Sequence, residues 1–506
     1  MLKIKNIIVI VFCLNICFVF ADGQTQMNGS LEYFYMSRLD NSSIVNIPFR
    51  VLDFYTYHQN GDLDVNANLS LEYRGRRDTD FLTDTDLEDF SIDIRELYFA
   101  YYLADGEIRI GKQVHSWGNV DENSPIDNLN AYDYYYLLLG GAEKKLGCYS
   151  MALDYYFLEN SNLKYSLVFS PLHNTSRVPI NDPDYPIGFS SGLSLSPETI
   201  VLNDANPYEL GMNIKYSFNF GDVSFSKLGA YDRLPNLSGL TVYTDESFMG
   251  TVFSAVPRWS YRYTDVYNIG SVLLFDDFTL RMDYAEFSSS DQNDINTFLS
   301  ISDNPNDVCV GNNLDQFTCA PALYTNAVRS FEESAQYTQT TLQLELPLPE
   351  NFQINMQYFN YDLKKYNANE LGLSCDELVD ALPLFTAESC ADIESDLGLS
   401  LDQVETLNYF MPGMGSPIAM IASESVIFNF EKYLLDNNLH LSLTSFRDLD
   451  KGSGNLTSFE AEYDFGSGLK VSVGITKIKG DSSVENYTFN SMENFSHFRC
   501  QMKYYF

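Results

Sequence analysis

Polar and apolar residues alternate with a period of two along many segments of this chain. Residues 62–74 show the pattern most clearly, because every second residue is apolar and those between are polar or charged. The apolar positions are Leu63, Val65, Ala67, Leu69, Leu71 and Tyr73. At about 3.3 Å per residue, such a segment is long enough to cross a hydrocarbon core as a tilted strand, whereas strands of soluble domains are usually shorter. The pattern therefore predicts a membrane-spanning β-strand.

The same alternation predicts about eighteen strands, with 16–18 as the range. They are residues 25–38, 46–59, 62–76, 91–104, 106–117, 146–158, 162–171, 207–220, 222–233, 264–275, 277–289, 335–347, 351–364, 423–435, 438–448, 454–466, 468–480 and 495–506. Every second connection is short, and most of these turns contain Gly, Asn or Asp. The long connections, about 118–145, 172–206, 234–263, 290–334 and 365–422, all fall on the other side.

This asymmetry between short and long connections is typical of outer-membrane barrels with an even number of strands. We therefore predict an all-β fold: a single transmembrane antiparallel β-barrel with long extracellular loops, short periplasmic turns and both termini in the periplasm. A barrel of sixteen to eighteen strands encloses an aqueous channel, whereas eight strands leave an interior filled by side chains.

The last predicted strand ends the chain on an aromatic residue. Phe498, Cys500, Met502, Tyr504 and Phe506 share one face, and the residues between them are polar. A strand of a soluble sandwich is the alternative for this segment taken alone. In the barrel, we expect this face to contact lipid and the strand to pair with the first strand near Tyr33 and Tyr35, which removes both sheet edges.

The N-terminal segment has the features of a secretory signal peptide. Residues 1–21 contain two lysines, an apolar run and a small residue at Ala21, so we expect cleavage before Asp22. No other stretch approaches the roughly 18 to 20 apolar residues of a membrane helix. Residues 22–506 are therefore predicted to form one barrel domain in the bacterial outer membrane, because only a barrel spans a membrane without helices.

The chain is strongly acidic. Lys and Arg number 31 against 69 Asp and Glu, a formal net charge of −38, and loss of Lys3 and Lys5 with the signal peptide leaves −40. Nucleic acid is therefore not an expected partner, since binding phosphates requires basic surface. If the barrel is a pore, acidic loops at its mouth favour cations.

Four cysteines lie as two pairs in polar insertions. Cys309 and Cys319 form one pair and Cys375 and Cys390 the other, and both are predicted to be disulfides in an oxidising compartment. Metal binding is the weaker alternative, because neither pair has a nearby His or a CxxC spacing. The sequence predicts no metal site and no cofactor.

Candidate pore residues come from one strand, the loop after it and one later strand. Arg109, Gln113, His115 and Trp117 share a face of the strand 106–117, Asp121, Glu122 and Asp127 lie in the following loop, and Arg281 and Asp283 share a face further along. An inward-folded loop facing a ring of side chains sets the cross-section and charge selectivity of a channel. For the loop and the strand before it, an ordinary surface loop packed on the barrel rim is an equal alternative, whereas for wall charges such as Arg281 and Asp283 cross-strand ion pairing is favoured over contact with solutes.

The stretch from Arg109 to Gly118, RIGKQVHSWG, and the later SPIDNLN from Ser124 resemble the G-[RK]-Q-x-x-x-W-G strand and following loop of porin-like outer-membrane proteins of Gram-negative bacteria, including poorly characterised barrel families. The likeness covers about 50 residues from Arg95. It implies diffusion of small solutes through a lumen narrowed by the third loop. The resemblance does not identify which solute this chain would carry. Lys112 departs from the alternation, so either a bulge turns it inward or it snorkels.

These observations lead to the hypothesis of a passive or weakly selective channel with a preference for cations. The alternative is a surface-binding barrel, an adhesin or receptor, that acts through loops 290–334 and 365–422. Enzymatic activity is not expected, because none of the five histidines lies in a recognisable catalytic motif. Expected partners are outer-membrane lipid, small solutes and, because Phe506 resembles a C-terminal assembly signal, the barrel assembly machinery. Porins are often homotrimers, and this chain leaves that state open.

Overall fold

The computed structural model describes residues 23–75, 81–82, 86–137, 139, 144–157, 162–179, 182, 184–185, 207–245, 252–292, 327–330, 332–368, 375, 379, 386–397, 406–485 and 487–506. The predicted signal peptide and the pair Cys309 and Cys319 lie outside these residues.

Extended strands make up most of the described chain. They are β1 (Gln24–Arg38), β2 (Phe49–Asn60), β3 (Leu63–Tyr73), β4 (Phe90–Leu103), β5 (Gly106–Gln113), β6 (Cys148–Tyr156), β7 (Leu163–Ser170), β8 (Glu209–Phe218), β9 (Gly221–Tyr231), β10 (Asn236–Asp245), β11 (Val252–Ser260), β12 (Tyr263–Leu274), β13 (Thr279–Gln292), β14 (Ala327–Ser330), β15 (Glu332–Leu348), β16 (Phe352–Asn367), β17 (Glu424–Leu434), β18 (Leu439–Asp448), β19 (Asn455–Asp464), β20 (Leu469–Lys479) and β21 (His497–Tyr505). The α-helices are α1 (Ala387–Leu397) and α2 (Thr488–Met492), and short 3₁₀ turns are Leu87–Asp89, Tyr134–Tyr136, Thr406–Tyr409, Pro417–Met420 and Glu493–Phe495.

Within the described residues, eighteen strands form one antiparallel sheet that closes into a barrel. Closure occurs at β1, which pairs with β2 on one side and with β21 on the other. Tyr33 lies opposite Met502 and Tyr35 opposite Cys500, as the alternation of the closing strand predicts. The predicted all-β barrel of eighteen strands is therefore confirmed, and each predicted strand matches a barrel strand to within a few residues.

The predicted asymmetry of the connections is also confirmed. One end of the barrel, the short-turn end, carries the connections such as 61–62 between β2 and β3. There Gly61 has a φ of +61°, the left-handed conformation that a two-residue hairpin requires. The opposite end, the long-loop end, carries all the long connections, including 114–147 and 368–423.

Burial is inverted relative to a soluble protein. Along β3, polar Asp64, Asn66 and Ser70 are buried inside the barrel, whereas Leu63 is 42% exposed on its outer face. Large apolar side chains cover the outer face of every part of the barrel, among them Ile94, Phe99, Ile110, Met212, Ile269, Phe459 and Ile475. Aromatic residues are exposed near the short-turn end, among them Tyr102, Tyr156, Phe220, Phe275, Tyr463, Phe465 and Phe506.

The prediction of strand 106–117 was wrong at its end, because β5 stops at Gln113. The Val114 amide donates to Glu96 Oε1 at 2.9 Å rather than continuing the ladder, and the chain turns into the barrel. Lys112, which broke the alternation, places its Nζ 3.6 Å from Asp93 Oδ1, beside a register irregularity that skips Arg95 in β4.

The sequence also missed three strands outside the barrel wall. β10, β11 and β14 form a separate small sheet in the connections 232–262 and 293–331 at the long-loop end. In the connection 368–423, Cys375 and Cys390 are joined by a disulfide with Cα atoms 5.8 Å apart. Cys148 and Cys500 carry free thiols. In the part of the chain that the structure describes, no helix is long and apolar enough to cross a membrane.

Candidate pore and its constriction loop

The connection between β5 and β6 spans residues 114–147, and its described residues, 114–137, 139 and 144–147, fold into the barrel; we call them the constriction loop. Its entrance is organised by Asp127, whose Oδ1 accepts hydrogen bonds from the amides of Trp117 at 2.7 Å and Gly118 at 3.0 Å. Its Oδ2 pairs with Lys145 Nζ at 2.7 Å. One carboxylate thus fixes both limbs of the loop where it leaves the wall.

Asn130 ties the two limbs together deeper in the barrel. Its Oδ1 accepts from the His115 amide at 2.6 Å, and its Nδ2 donates to Leu146 O at 2.7 Å. Asn130 is buried, so these bonds form in a region shielded from solvent, where leaving a polar group unpaired costs about 1–3 kcal/mol. The two ends of the loop are consequently joined by hydrogen bonds and pack together.

The tip of the loop crosses to the opposite wall and is anchored there by Asp283 of β13. This carboxylate is fully buried and accepts hydrogen bonds from the Asn119 amide at 2.8 Å, the Val120 amide at 3.1 Å and Ser124 Oγ at 2.7 Å. Its other oxygen accepts from Asn119 Nδ2 at 2.9 Å. Because several donors converge on one carboxylate, the crossing of the lumen depends strongly on this residue.

Two glutamines on the neighbouring strands extend the anchor. Gln343 of β15 accepts from the Asp121 amide at 2.8 Å and donates to Asp121 Oδ2 at 2.6 Å. Gln357 of β16 donates to Asp121 O at 2.7 Å and accepts from Asn123 Nδ2 at 2.9 Å. Thr341 of β15 donates to Asn123 O at 2.8 Å. The loop tip is therefore bonded to three consecutive strands of the far wall.

The loop divides the interior into a packed half and an open half. On the packed side, Leu129 of the loop belongs to a buried apolar cluster with Phe287, Tyr337 and Met414. On the open side lies a cavity of about 1150 Å³ between the loop, β16–β21 and β1–β4. This cavity is the candidate pore.

The cavity wall is rich in charges of both signs. It carries eight carboxylates and six Lys or Arg side chains: Glu32, Asp53, Glu96, Asp121, Glu122, Glu431, Glu460 and Glu462, with Arg50, Arg95, Lys144, Lys470, Arg499 and Lys503. Several of them pair, as Lys470 does with Glu462 at 2.9 Å and Lys144 with Glu122 at 3.0 Å. Arg499 pairs with Glu460. The formal balance is an excess of two negative charges.

The two ends of the cavity differ in polarity. Near the short-turn end the wall is polar, with Glu431, Glu462 and Lys503. At the long-loop end it meets a buried apolar cluster, which we call the outer cluster: Met36, Val45, Ile47, Tyr135, Tyr136, Leu139, Tyr185, Phe359, Ile418, Ala422, Phe446, Ile478, Tyr487, Phe489, Met492 and Phe495. Loop segments and strand ends both contribute to this cluster, so apolar side chains cover the outer end of the cavity.

Charged contacts hold the constriction loop to the outer cluster. The guanidinium of Arg177 forms a bidentate pair with Glu72 at 2.7 and 2.8 Å and lies 3.3 Å from Asp133 Oδ2. The guanidinium groups of Arg177 and Arg74 lie over the Tyr135 ring, with their Cζ atoms 5.0 Å and 5.1 Å from the ring centroid. Burial, followed by the nearby Glu72 charge, raises the pKa of Asp133, and Arg177 only partly opposes this increase.

Two of the predicted pore residues lie on the cavity wall, and three hold the constriction loop. Asp121 and Glu122 face the cavity from the loop tip. Asp127 and Asp283 bind the loop backbone as described, and Arg281 donates to Asn119 O at 3.0 Å. Asp127, Asp283 and Arg281 therefore affect the pore indirectly, by holding the constriction loop in position.

The four candidates from the strand 106–117 lie away from the described cavity wall. Arg109 pairs with Asp154 at 3.0 Å within the barrel wall. Gln113 and His115 are buried between the wall and the loop, and Trp117 packs on its apolar cluster. Because β5 ends at Gln113, the alternation that grouped these residues does not continue to His115 and Trp117.

Sequence reasoning missed several residues that line the cavity. Among the missed charges are Glu32, Arg50, Arg95, Lys144 and Lys470. Glu32 follows Asn28 and Ser30 at intervals of two, so extending the alternation of the first strand inward would have found it. Lys144 lies in the loop, where no local periodicity indicates which way a side chain points.

No family model and no curated protein matches this chain. Solved structures that match include the outer membrane protein OpdK from Pseudomonas aeruginosa (10% identity, 96% of this chain and 99% of that chain, TM-score 0.44). OccAB3 from Acinetobacter baumannii matches at 8% identity over 96% and 99%, with a TM-score of 0.46. OmpT from Vibrio cholerae matches at 9% identity over 96% and 98%, with a TM-score of 0.37. At this level the likeness assigns neither family nor solute to the chain.

Proposed function

We propose that this protein is an outer-membrane channel for the passive or weakly selective diffusion of small solutes. The exterior supports a membrane location, because exposed apolar residues cover the barrel wall and aromatic residues cluster toward the short-turn end. In this proposal, residues 22–506 form the mature barrel after removal of residues 1–21, and the long-loop end faces the exterior of the cell.

The single observation that carries the channel proposal is the cavity of about 1150 Å³ inside the closed barrel. A barrel that serves only as a scaffold has no need for an interior lined by fourteen charged side chains. A hydrated path requires such an interior, because charges of both signs keep water in the lumen and interact with passing solutes. The constriction loop narrows this path by occupying the other half of the lumen.

We further propose a preference for cations. Carboxylates exceed Lys and Arg by two on the cavity wall, and Asp121 and Glu122 place two of them on the constriction loop. Low-dielectric walls focus such an excess of charge within the pore. Several wall charges are paired, so the expected selectivity is modest.

We propose that the outer cluster keeps the path closed for part of the time. Phe489, Met492 and Ile418 are buried within this cluster and also contact the cavity. Apolar constrictions exclude water and ions until they widen. We therefore expect conduction in short openings that follow displacement of the segments 417–422 or 487–496.

The alternative, a surface-binding barrel, is favoured by two observations at the long-loop end. The outer cluster covers the cavity, and β10, β11 and β14 build a separate sheet beyond the wall. Such a sheet is an ordered platform on which long loops can bind a partner. In that case the charged cavity has no role in transport.

Single-channel recording in planar bilayers tests the proposal. The full mature chain is expected to give discrete openings, and a salt gradient is expected to give a reversal potential of cationic sign. Protein that is folded, as judged by heat-modifiable migration, but silent would favour the surface-binding alternative. A reversal potential of anionic sign would refute the cation preference alone.

A further inference from the structure

Three cations lie together on the outer face of the barrel at the long-loop end. In β20, Lys477 and Lys479 are exposed, whereas Thr476 before them and Ile478 between them are buried inside. Arg447 of β18 is exposed in the same way between buried Phe446 and Asp448. All three side chains therefore point toward the surroundings of the barrel and away from the cavity.

The sheet register brings these cations into one patch. Arg447 and Lys479 each lie opposite Asn455 of β19, one on either side, and Lys477 lies opposite the neighbouring Thr457. Adjacent strands are about 4.8 Å apart, so Arg447 and Lys479 are separated by roughly 10 Å across the sheet. Asn455 and Thr457 add polar groups between the three charges. We call these five residues the cationic patch.

The charges of the patch are not neutralised within the described chain. None of its three cations forms an ion pair with a described residue. Other lysines on the outer face do, since Lys432 pairs with Glu350 at 3.4 Å and Lys227 lies 3.8 Å from Asp265. Three close, unpaired positive charges repel one another, and in a chain with a formal net charge of −38 acidic partners are plentiful.

Carboxylates near the patch accept hydrogen bonds from neutral groups instead. Glu424, near the strand end that pairs with Arg447, accepts from Tyr358 Oη at 2.7 Å. Asp481, which follows Lys479 closely, accepts from Ser453 Oγ at 2.9 Å and Ser483 Oγ at 2.6 Å. The patch thus remains available to an anion from outside the protein.

The position of the patch indicates where that anion comes from. Below it on the same face, Phe459 is 47% exposed and Ile475 48% exposed, as parts of the apolar belt. Lys477 is two residues beyond Ile475, which places its Cα only about 5 Å higher along a strand tilted by about 45°. Long basic side chains at this depth reach the headgroup level of a bilayer.

We propose that the cationic patch binds the phosphate-bearing headgroup of an anionic lipid in the leaflet that surrounds the long-loop end. Arg447 offers a planar fork suited to phosphate, and the two lysines add point charges beside it. This inference rests on the proposed location of the barrel in the outer membrane. It does not depend on whether the cavity conducts.

Native mass spectrometry of the full mature chain in a nonionic detergent tests the patch with diphosphorylated lipid A as the probe. Lys477→Gln/Lys479→Gln is expected to weaken binding about tenfold or more, because it removes two of the three positive charges that face the headgroup phosphates. The matched control is Lys364→Gln/Lys432→Gln, which removes two lysines that already pair with Asp362 and Glu350. This control is expected to bind as the unmodified protein does.

Three results would overturn the proposal: wild-type affinity in Lys477→Gln/Lys479→Gln, equal binding of enzymatically dephosphorylated lipid A, or equally strong competition by inorganic phosphate alone. The last would identify a site for free anions. If the double variant fails to fold, Arg447→Gln and Lys479→Gln are measured singly against the same criteria. Conductance is recorded in parallel, so a silent but lipid-binding protein would refute the channel and leave this site intact.

Discussion

Phe506 and Gly29 join the two ends of the barrel sheet. The Gly29 amide donates to Phe506 O and the Phe506 amide to Gly29 O, both at 3.0 Å. A Cβ on Gly29 would collide with the Phe506 ring, so the ring lies directly over the glycine. The last residue of the chain therefore contributes both hydrogen bonds and a side-chain cover to the seam, beyond the end of β21.

Deletion of Phe506 is expected to impair assembly of the barrel more than its conductance. The deletion removes two backbone hydrogen bonds at the seam and uncovers Gly29, whereas the cavity lies elsewhere. Phe506→Leu is the matched control, because it keeps both hydrogen bonds and an apolar side chain. The yield of heat-modifiable protein in outer-membrane fractions measures assembly. Normal yield of the truncated chain would show that the seam closes without its last residue.

Asp283→Asn is expected to release the constriction loop. The substitution replaces one acceptor oxygen by a donor amide, so at least one of the donors from Asn119, Val120 and Ser124 loses its partner. An unpaired buried group costs about 1–3 kcal/mol, and the cross-section of the lumen should widen. We expect a lower midpoint of thermal unfolding together with larger or noisier single-channel currents.

The matched control for that experiment is Glu286→Gln. Glu286 lies on the same strand and is exposed on the outer face, so the substitution removes one negative charge without touching the loop. Its currents and unfolding midpoint should equal those of the unmodified protein. Unchanged currents in folded Asp283→Asn would mean that the loop stays in place through its other contacts, such as those with Gln343 and Gln357.

The strands were predictable because each one meets two different environments. The outer face requires apolar residues such as Leu63 and Ile475, and the lumen requires polar ones such as Asp64. Successive residues of a strand face these two environments in turn, so the sequence alternates with a period of two. The path of the constriction loop was not predictable. Asp283 alternates like any wall residue, and its partners at 119–124 lie more than 150 residues away. β10 and β14 were missed because they pair outside the wall, where the contrast between lipid and lumen is absent.

Asp133→Asn is expected to be neutral or stabilising at neutral pH. The pKa of Asp133 is raised in the folded protein, so folding favours its neutral form. Its contribution to stability is fully present below the unfolded pKa, near 3.9, and is lost as the pH rises through the folded pKa. Glu72 already pairs both Nη atoms of Arg177, which leaves Asp133 as the surplus carboxylate.

The test compares unfolding midpoints of the unmodified protein and Asp133→Asn across pH. Their difference should favour the variant at neutral pH and shrink as the pH falls into the range where Asp133 takes up a proton. Other carboxylates titrate in both proteins and cancel in the comparison. A variant that is clearly less stable at neutral pH would show that the charge of Asp133 is needed beside Arg177.

Glu122→Gln is expected to reduce the preference for cations. The substitution removes a carboxylate from the cavity wall and leaves Lys144 without its 3.0 Å ion pair. Both effects make the local potential more positive, so the reversal potential in a salt gradient should shift toward anions. Glu286→Gln on the outer face of β13 changes the net charge equally but removes no charge from the cavity wall, so it should not alter the reversal potential. Equal shifts in both variants would assign selectivity to net charge rather than to the constriction.

Phe489→Ala is expected to increase the fraction of time that the channel is open. Phe489 is 1% exposed, packs between Phe446 and Tyr487 in the outer cluster and also contacts the cavity. Truncating a buried Phe to Ala typically costs about 3–5 kcal/mol, much of it from the space left behind, so the apolar cover should loosen. Longer openings at unchanged unit conductance would separate this effect from a wider constriction. Phe225→Ala provides the control, since Phe225 is exposed on the outer face of β9. Unaltered opening in folded Phe489→Ala would show that the outer cluster does not limit the path, and the barrier would then have to lie at the constriction loop.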